Sequence, residues 1–343
     1  MVLALSAQDI GCRVVVRRRV QTGERPLYTD LLGELLEITP AEVVILTSAG
    51  AVRVPVDEIH RAKPVPARRG PTAREIAEVE RAAARAWPPA ELAWLGDWRL
   101  RAAGGYTGRA NSALPVGDPG RPLPEAIEQV VAFYTERDLP PQVDVPLPLA
   151  SAVQRELLRA GWHEECAVRV QTVDLDQLIA VTDAVGSLSA QPSPAALALI
   201  EGRRGPLPEA ARHVLTAVPT LAFCEYADAG EPHGRAAGSA VSGDLLAMGR
   251  GSVTTAGHAD GEGARWLGLF AIETVPAARR RGLAQRIVGQ LARWGREHGA
   301  THAFLQVEST NEAAQALYAK LGFTTHHSYL RYRLRPHPRA LSG

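Results

Sequence analysis

The amino-acid sequence predicts an α+β protein of more than one domain. Short β-like runs fill residues 8–66, and further along the chain strand-like runs alternate with amphipathic helical patterns. A length of 343 residues is enough for two or three domains. We therefore expect three domains, over residues 1–70, 71–175 and 176–343.

The first domain is predicted to be a small all-β barrel, because short strands follow one another with tight turns between them. Strands are expected over residues 12–17, 30–38, 41–47 and 51–55. Arg17-Arg18-Arg19 is a candidate patch for a protein or nucleic-acid partner, although an exposed face of an arginine-rich protein would carry the same pattern. Residues 64–71 have the composition of a linker.

The second domain opens with a helical pattern over residues 72–87. Strands are expected over 98–103 and 106–112, on either side of a glycine turn. A short β-like run over 142–145 then precedes a helix that ends in Leu157 to Trp162. In the third domain we expect helices over 195–199 and 208–218, strands over 221–226 and 235–241, and a turn-rich loop over 228–234.

The turn from Arg279 to Ala284 is the first candidate functional site. It follows the apolar run of residues 266–272, which reads as a buried strand, and it precedes a helix with apolar residues at helical spacing. Gly282 permits a tight turn that leaves backbone amides uncovered at a helix N-terminus, where the dipole favours an anion. A dinucleotide fingerprint would need more glycines, and a Walker loop would need a nearby lysine. An arginine-rich turn that only caps a helix would have the same pattern.

A second motif lies about one strand and one helix downstream. Residues 303–308 read as a strand, and Ser309 and Glu312 have the spacing of a capping box. The helix that follows ends in Leu317-Tyr318-Ala319-Lys320-Leu321-Gly322-Phe323, with Gly322 placed as its C-terminal stop. In this order the two motifs closely resemble the acyl-CoA pyrophosphate loop and the last motif of the GNAT superfamily of N-acetyltransferases.

The resemblance implies a mixed, mostly antiparallel sheet flanked by helices, with acetyl-CoA as co-substrate and no metal. It also implies a strand splayed from its neighbour, whose backbone binds the pantetheine arm. The residues implied to bind the co-substrate are Ile272, Glu273, Thr274, Arg279, Arg280, Arg281, Gly282, Leu283, Ala284, Gln285 and Asn311. Tyr318 matches the tyrosine that protonates the departing thiolate.

The general base is left open between two carboxylates. Some members of the family have a glutamate five residues before the asparagine. In this chain that position holds Gln306, which cannot act as a base. Glu308 shares a strand face with Gln306, and Glu273 lies on the splayed strand. Either carboxylate could equally be solvated or ion-paired. A base is needed because a lysine-like amine, with a pKa of about 10.4, is almost wholly protonated near neutral pH.

The region before this domain resembles a second, degenerate GNAT-like half. Leu157 to Trp162 echoes Tyr318 to Phe323, with Leu157 in the place of Tyr318. The loop that would match the pyrophosphate turn, residues 118–124, is rich in proline, which has no N–H to donate. We expect this half to pack against the other and to shape the acceptor site; an unrelated α+β cap is the alternative. The barrel resembles the SH3-like domain that precedes some actinobacterial GNAT proteins.

Composition excludes several other classes. The net charge is +1, so no global electrostatic signal for nucleic acid is present. The three cysteines have no C-x-x-C spacing, which argues against a disulfide framework or a zinc site and favours the reducing cytoplasm. His258, His326 and His327 have no metal-ligand spacing, and no apolar run has the length of a membrane span.

The sequence therefore predicts an acetyl-CoA-dependent N-acetyltransferase that transfers the acetyl group directly to a primary amine. The acceptor is a small molecule or a peptide, and the 228–234 loop is of the kind that lines the acceptor pocket in this superfamily. The alternative is an acyl-CoA-binding regulatory protein with little catalytic activity, whose partner is held by the barrel. Gln306 at the usual base position favours this alternative.

Overall fold

The computed structural model describes residues 5–22, 25–47, 50–65, 70–227, 244–257 and 263–335. The chain divides into two compact units, Met1–Gly70 and Pro71–Gly343. The predicted strand over 235–241, the loop over 228–234 and His258 lie outside the described residues. In the described part of the chain, no helix is both long enough and apolar enough to cross a membrane.

The smaller unit is a five-stranded antiparallel sheet with the order β4-β3-β2-β1-β5. Its strands are β1 (Arg13–Thr22), β2 (Arg25–Ile38), β3 (Glu42–Thr47), β4 (Gly50–Pro55) and β5 (Ile59–Pro64). The alternating residues Val14, Val16, Leu35, Ile45 and Val54 are buried inside it. β1 and β2 extend beyond the predicted runs, and β5 was not predicted. Arg17 of the arginine run is paired with Asp30 on the surface.

The larger unit is built on an eleven-stranded mixed sheet with the order β11-β12-β13-β14-β15-β10-β16-β9-β8-β7-β6. These strands are β6 (Glu91–Leu95), β7 (Trp98–Ala102), β8 (Ala113–Leu114), β9 (Gln142–Leu147), β10 (His163–Asp174), β11 (Ser187–Ser189), β12 (Leu221–Ala227), β13 (Leu245–Thr255), β14 (Arg265–Thr274), β15 (His302–Glu308) and β16 (Thr324–Arg333). The helices are α1 (Ala73–Ala86), α2 (Leu123–Thr135), α3 (Ser151–Arg159), α4 (Leu175–Ala180), α5 (Pro194–Arg204), α6 (Glu209–Thr216), α7 (Leu283–Glu297) and α8 (Glu312–Lys320).

Two strands in the middle of this sheet are exchanged between its halves. β10, which follows the α2-β9-α3 segment, pairs with β15, and β16, which follows α8, pairs with β9. β10 and β16 also pair with each other. A strand from residues 71–175 therefore pairs with strands from residues 176–343, and the reverse is also true. The two parts form one continuous sheet.

The two faces of the sheet are covered by different helices. On one face, called here the α7 face, α4, α7 and α8 pack on Leu267, Leu269 and Leu305. On the opposite α1 face, α1, α5 and α6 pack on Phe270 and Phe304. Because side chains alternate along a strand, β14 and β15 contribute to both cores.

One prediction for this unit is wrong. Residues 106–112 were expected to form a strand, but Gly108–Asn111 is a short 3₁₀ helix. The cause is local: Gly104 and Gly105 have positive φ, and Asn111 Oδ1 accepts hydrogen bonds from the amides of Ala103 and Gly105, which fixes a compact loop. Strand β13, rich in small residues, was not predicted.

Candidate active site

The strands β14 and β15 separate beyond their first residues. They run parallel and pair at three positions, Trp266 with His302, Leu267 with Ala303 and Gly268 with Phe304. Both strands continue past this point, to Thr274 and Glu308, without pairing to each other. The backbone from residue 269 onwards therefore has one edge that no neighbouring strand covers.

A β-bulge turns the end of β14. Phe270 pairs with Arg250 and Glu273 with Met248, so Ala271 and Ile272 lie opposite Gly249 alone. Ala271 has φ 48°, which is unusual for a residue with a side chain. A Cβ on Gly249 would lie 2.6 Å from Ile272 Cδ1, so glycine is needed there to make room for the bulge. The bulge changes the direction of the strand, and the side chains of Ile272 and Glu273 line the cavity described below.

The predicted anion turn lies at the start of α7, with Gly282 as the N-cap residue. Arg280 and Gly282 are both left-handed, with φ of 61° and 75°. Open space surrounds Gly282, so the need for glycine is conformational rather than steric. Among the described residues, none accepts a hydrogen bond from the amides of residues 280–285. Alternating left-handed residues before a helix form a concave set of N–H donors suited to an anion.

The side chains around this turn are cationic and solvated. Arg279, Arg280 and Arg281 are all exposed. Arg286, one turn into α7, was not predicted as a site residue; its Nε is buried and has no acceptor in the described part of the chain. The turn thus combines free amides, the positive end of a helix dipole and several guanidinium groups.

A cavity of about 410 Å³ passes through the gap between β14 and β15. Its lining includes Leu269, Leu305 and Tyr318 from the α7 face together with Trp87 and Phe270 from the α1 face. Because these side chains belong to opposite faces, the cavity connects the two sides of the sheet. Of the predicted residues, Ile272, Glu273, Glu308, Asn311 and Tyr318 line it, whereas Thr274 ends β14 opposite Ala247 and does not.

The start of α8 differs from the prediction. Asn311 is the N-cap residue, and its Oδ1 accepts the Ala314 amide at 3.2 Å. The predicted capping box of Ser309 and Glu312 is wrong, because the Ser309 amide is bound by the carbonyl of Ala167 on β10 and holds that residue to the sheet. The Asn311 amide nitrogen takes no part in this cap and remains able to donate to other partners.

Tyr318 is half-buried on α8 and packs edge-on against Phe323 with 5.7 Å between ring centroids. Burial, helped by the negative charge of Glu273, raises the pKa of Tyr318 to about 12, while Arg203 opposes the shift. The phenol therefore keeps its proton at every physiological pH and can serve there as a hydrogen-bond and proton donor.

The two candidate bases have different surroundings. The Glu273 side chain is 14% exposed, and its Oε1 lies 2.5 Å from Nη1 of Arg203 on α5. Glu308 is exposed at the end of β15. Gln306, on the same strand face, has a buried Oε1 that receives no hydrogen bond from the described residues.

The α1 side of the cavity was missed by sequence reasoning. Tyr106 and Arg109 come from residues 106–112, which were wrongly predicted as a strand, and Tyr329 and Arg331 come from the exchanged strand β16. Gly108 allows Arg331 to pack on the backbone, since a Cβ there would lie 1.8 Å from Nη1. The one available signal was the glycine-rich run before residue 110, which marks a turn rather than a strand.

Arg331 is held by a buried ionic cluster. Its Nε and Nη2 bind the two carboxylate oxygens of Asp144 at 2.7 and 3.0 Å, and Arg101 and Ser112 bind the same carboxylate. Burial alone would raise the pKa of Asp144, but these donors hold it below its usual range. This cluster fixes the wall of the cavity and leaves Asp144 no unpaired oxygen.

Comparison with known proteins agrees with this geometry. The family model described as "Probable histone acetyltransferase Rv0428c C-terminal" matches residues 72–333, and the "Rv0428c N-terminal Sm-like domain" matches residues 8–63. The chain belongs to this family of GNAT acetyltransferases. The small barrel that was expected to be SH3-like is thus matched more specifically as an Sm-like domain.

Two curated relatives cover most of the chain. One is "Probable histone acetyltransferase Rv0428c" of Mycobacterium tuberculosis, which is 32% identical over 94% of this chain and 95% of its own length. The other is "Uncharacterized N-acetyltransferase YobR" of Bacillus subtilis, 26% identical over 73% of this chain and 95% of its own length. These similarities support an acetyltransferase enzyme.

Solved structures support the fold. A "GCN5-related N-acetyltransferase from Kribbella flavida" superimposes with a TM-score of 0.54 at 16% identity, covering 79% of this chain and 98% of its own. A "Tandem GNAT protein from the clavulanic acid biosynthesis pathway" gives a TM-score of 0.50 at 15% identity, covering 78% and 91%. No cluster of three or more His, Cys, Asp or Glu side chains able to hold a metal occurs among the described residues.

Proposed function

We propose that this protein is an acetyl-CoA-dependent N-acetyltransferase that transfers the acetyl group directly to a primary amine. The observation that carries the proposal is the cavity through the gap between β14 and β15, which joins the α7 face to the α1 face. Such a passage lets two substrates meet from opposite sides of the sheet while each is held by its own set of side chains.

The α7 side fits acetyl-CoA. The free amides of residues 280–285 and the arginines beside them suit a pyrophosphate, with Arg286 as an additional donor. The uncovered edge of β14 at Ile272 and Glu273 suits the amide groups of the pantetheine arm, and the Asn311 amide nitrogen can contact the same arm. Acetyl-CoA would supply a thioester whose carbonyl carbon accepts the amine nitrogen and whose sulfur leaves as a thiolate.

Tyr318 is the proposed acid. It lines the cavity on the α7 side, and its raised pKa keeps the hydroxyl proton available to a developing negative charge on sulfur. No cysteine or serine belongs to the cavity lining among the described residues, and the hydroxyl oxygen of Thr107, which does line it, accepts a hydrogen bond from Trp87 Nε1. This supports direct transfer.

Glu273 is the proposed base, with Glu308 as the second candidate. Glu273 lines the cavity beside the bulge, and its negative charge contributes to the raised pKa of Tyr318. Removing a proton from the amine at this point leaves a neutral nucleophile next to the thioester. Arg203 holds the Glu273 carboxylate in position.

The proposed acceptor is defined only by its chemical class, a primary amine. The name of the mycobacterial relative points to a protein amine, whereas a small amine fits the cavity volume equally well. All three cysteines are free, which suits the cytoplasmic location expected from the sequence.

The test is release of CoA thiol from acetyl-CoA in the presence of a panel of amines and lysine peptides, preceded by calorimetry with acetyl-CoA. We expect binding of acetyl-CoA and turnover with at least one amine, together with a mass increase of one acetyl group on that amine. Binding without turnover on any member of the panel, or no binding at all, would overturn the proposal.

A further inference from the structure

We propose that the acceptor amine also carries a carboxylate, and that Arg109 binds this carboxylate on the α1 side of the cavity. This rests on the proposed N-acetyltransferase function and adds the chemical class of its acceptor. The inference comes from two buried polar atoms of opposite kind, Arg109 Nε and Gln306 Oε1. Their side chains line one cavity, and neither atom has a hydrogen-bond partner among the described residues.

Arg109 is the cation of the cavity wall that no carboxylate neutralises. Its Nε is buried and donates no hydrogen bond within the described part of the chain, and no ion pair joins it to any described acidic residue. Its guanidinium lies 5.6 Å from the centre of the Phe270 ring and close to the Tyr329 hydroxyl. A buried N–H donor without an acceptor is costly, so the site is completed by an incoming acceptor.

The other two arginines of the wall are already paired. Arg203 binds Glu273, and Arg331 binds Asp144 through two hydrogen bonds. Asp144 is shared further with Arg101, so it has no capacity left for Arg109. Glu308 is the remaining carboxylate of the lining. It is exposed to solvent, which screens its electrostatic attraction for Arg109.

Gln306 supplies the second partnerless group. Its Oε1 is buried, lines the same cavity and accepts no hydrogen bond from the described residues. A carbonyl oxygen accepts hydrogen bonds, and an amine offers N–H donors. An acceptor whose amine donates to Gln306 and whose carboxylate accepts from Arg109 would satisfy both groups at once, so Gln306 is a positioning residue even though it has no basic function.

The other residues that line the cavity indicate the chemical character of the rest of the acceptor, apart from its amine and its carboxylate. Trp87, Tyr106, Phe270 and Tyr329 make it aromatic, and the volume of about 410 Å³ also has to hold the acetyl group. This favours a compact amino acid with an apolar side chain over a long basic peptide, because a lysine- and arginine-rich acceptor would place like charge against Arg109.

The test compares matched amines with and without a carboxylate: phenylalanine with phenethylamine, 4-aminobutyrate with butylamine, and 6-aminohexanoate with hexylamine. The readout is the ratio of kcat/KM within each pair, which is independent of the fraction of enzyme that is folded. We expect the carboxylated member to be preferred in at least one pair. In Arg109→Gln the preference should fall about 10- to 100-fold, the range expected for a charge-assisted hydrogen bond.

Three further variants sharpen the result. Arg109→Lys should retain part of the preference, Arg109→Glu should reverse it, and Arg121→Gln, which changes an exposed arginine away from the cavity, should leave it unchanged. Turnover of amines with no preference in any pair, or a preference that survives in R109Q, overturns this inference while leaving the N-acetyltransferase function intact. Failure of acetyl-CoA to bind or of every amine to react would instead overturn the function itself.

Discussion

Two turns of this molecule each lead from a strand into a helix, and they differ in what their amides can bind; we propose that they are equivalent positions of two similar halves. At residues 280–285, before α7, the backbone amides are free among the described residues and arginines surround them. At residues 117–124, before α2, the corresponding positions are closed by the chain itself.

The closed turn is filled by carboxylates and prolines. Asp97 accepts the amide of Asp118 at 2.9 Å, and Asp118 accepts the amide of Gly120 at 2.8 Å. Pro122 is the N-cap residue of α2 and Pro124 lies in its first turn, so neither has an N–H to offer. An anion would meet few donors and two negative charges there.

The difference extends to the following helix. Leu157 of α3, the counterpart of Tyr318, is fully buried in an apolar core with Trp98 and Tyr134. We infer that the half with α7 and α8 retained free amides, a phenol and an open gap between strands. In the half with α2 and α3, called here the filled half, the corresponding positions are closed by intramolecular hydrogen bonds and apolar packing. The 108–111 segment of the filled half and strand β16, which follows α8 and pairs with β9 of the filled half, both line the α1 side of the cavity.

The largest expected effect is on kcat, when substitution of Tyr318 is compared with substitution of Leu157. Tyr318→Phe should lower kcat about 10²- to 10⁴-fold, the usual contribution of a general acid, with an unchanged Kd for acetyl-CoA. Leu157→Met, a volume-conserving change at the counterpart position, should leave kcat within about twofold. Steady-state kinetics and calorimetry measure both. Turnover of Y318F equal to that of the wild type would remove Tyr318 from the mechanism.

Stability should depend on the ionic cluster of the filled half. Asp144→Asn leaves Arg331 and Arg101 without their shared buried carboxylate, which should cost about 3–5 kcal/mol in the free energy of unfolding. Urea denaturation measures this. Glu91→Gln, which removes an exposed pair with Arg137 in the same half, should cost only about 0–1 kcal/mol. Equal losses for the two variants would show that the cluster is not what holds the wall.

Transferring a carboxylate into the open turn should weaken co-substrate binding. Gly282→Asp places a negative charge beside the amides and a side chain at a φ of 75°, and we expect the Kd for acetyl-CoA to rise about 10- to 100-fold. Gly120→Asp, the same change at a φ of 70° in the closed turn, is the control and should leave the Kd unchanged. Calorimetry distinguishes the two; a similar rise for both would mean that the turns are equivalent.

A smaller effect should distinguish the two candidate bases. Glu273→Gln should lower kcat/KM about 10- to 100-fold and flatten the acidic limb of its pH profile, since the group that accepts the proton is gone. Glu308→Gln should change kcat/KM less than threefold. The reverse order, with E308Q the slower enzyme, would transfer the base role to Glu308.

The smallest effect is spectroscopic. Because burial raises the pKa of Tyr318 to about 12, its phenol should ionise only above the range of ordinary tyrosines, near 10. The difference in alkaline absorbance between wild type and Y318F should therefore appear around pH 12, and Tyr318 should not cause any loss of turnover between pH 7 and 10. A difference centred on pH 10 would show that the phenol is solvated.

The sequence predicted the part of the site that depends on local backbone patterns. Gly282 after a buried strand and Gly322 after a helical run are chemical signals that act within a few residues, and both mark the ends of elements as expected. The Ser309 capping box failed because β10, distant in sequence, takes the Ser309 amide.

The acceptor side depended on contacts that no local pattern contains. Arg109 and Arg331 reach the same cavity only because β16 is inserted beside β9, and periodicity gives no information about such an exchange. The bulge at Ala271 is likewise fixed by the close approach of Gly249 to Ile272 rather than by its own residue type. The fold class and the turn before α7 were therefore within reach of the sequence, whereas the α1 side of the cavity was not.

The central claim is that two similar halves share one functional anion turn. Calorimetric titration of the intact protein with acetyl-CoA tests this most directly through the stoichiometry. We predict one molecule bound per chain, with binding strongly weakened in G282D and retained in G120D. Two molecules per chain, or a single site that is lost in G120D and retained in G282D, would contradict the account.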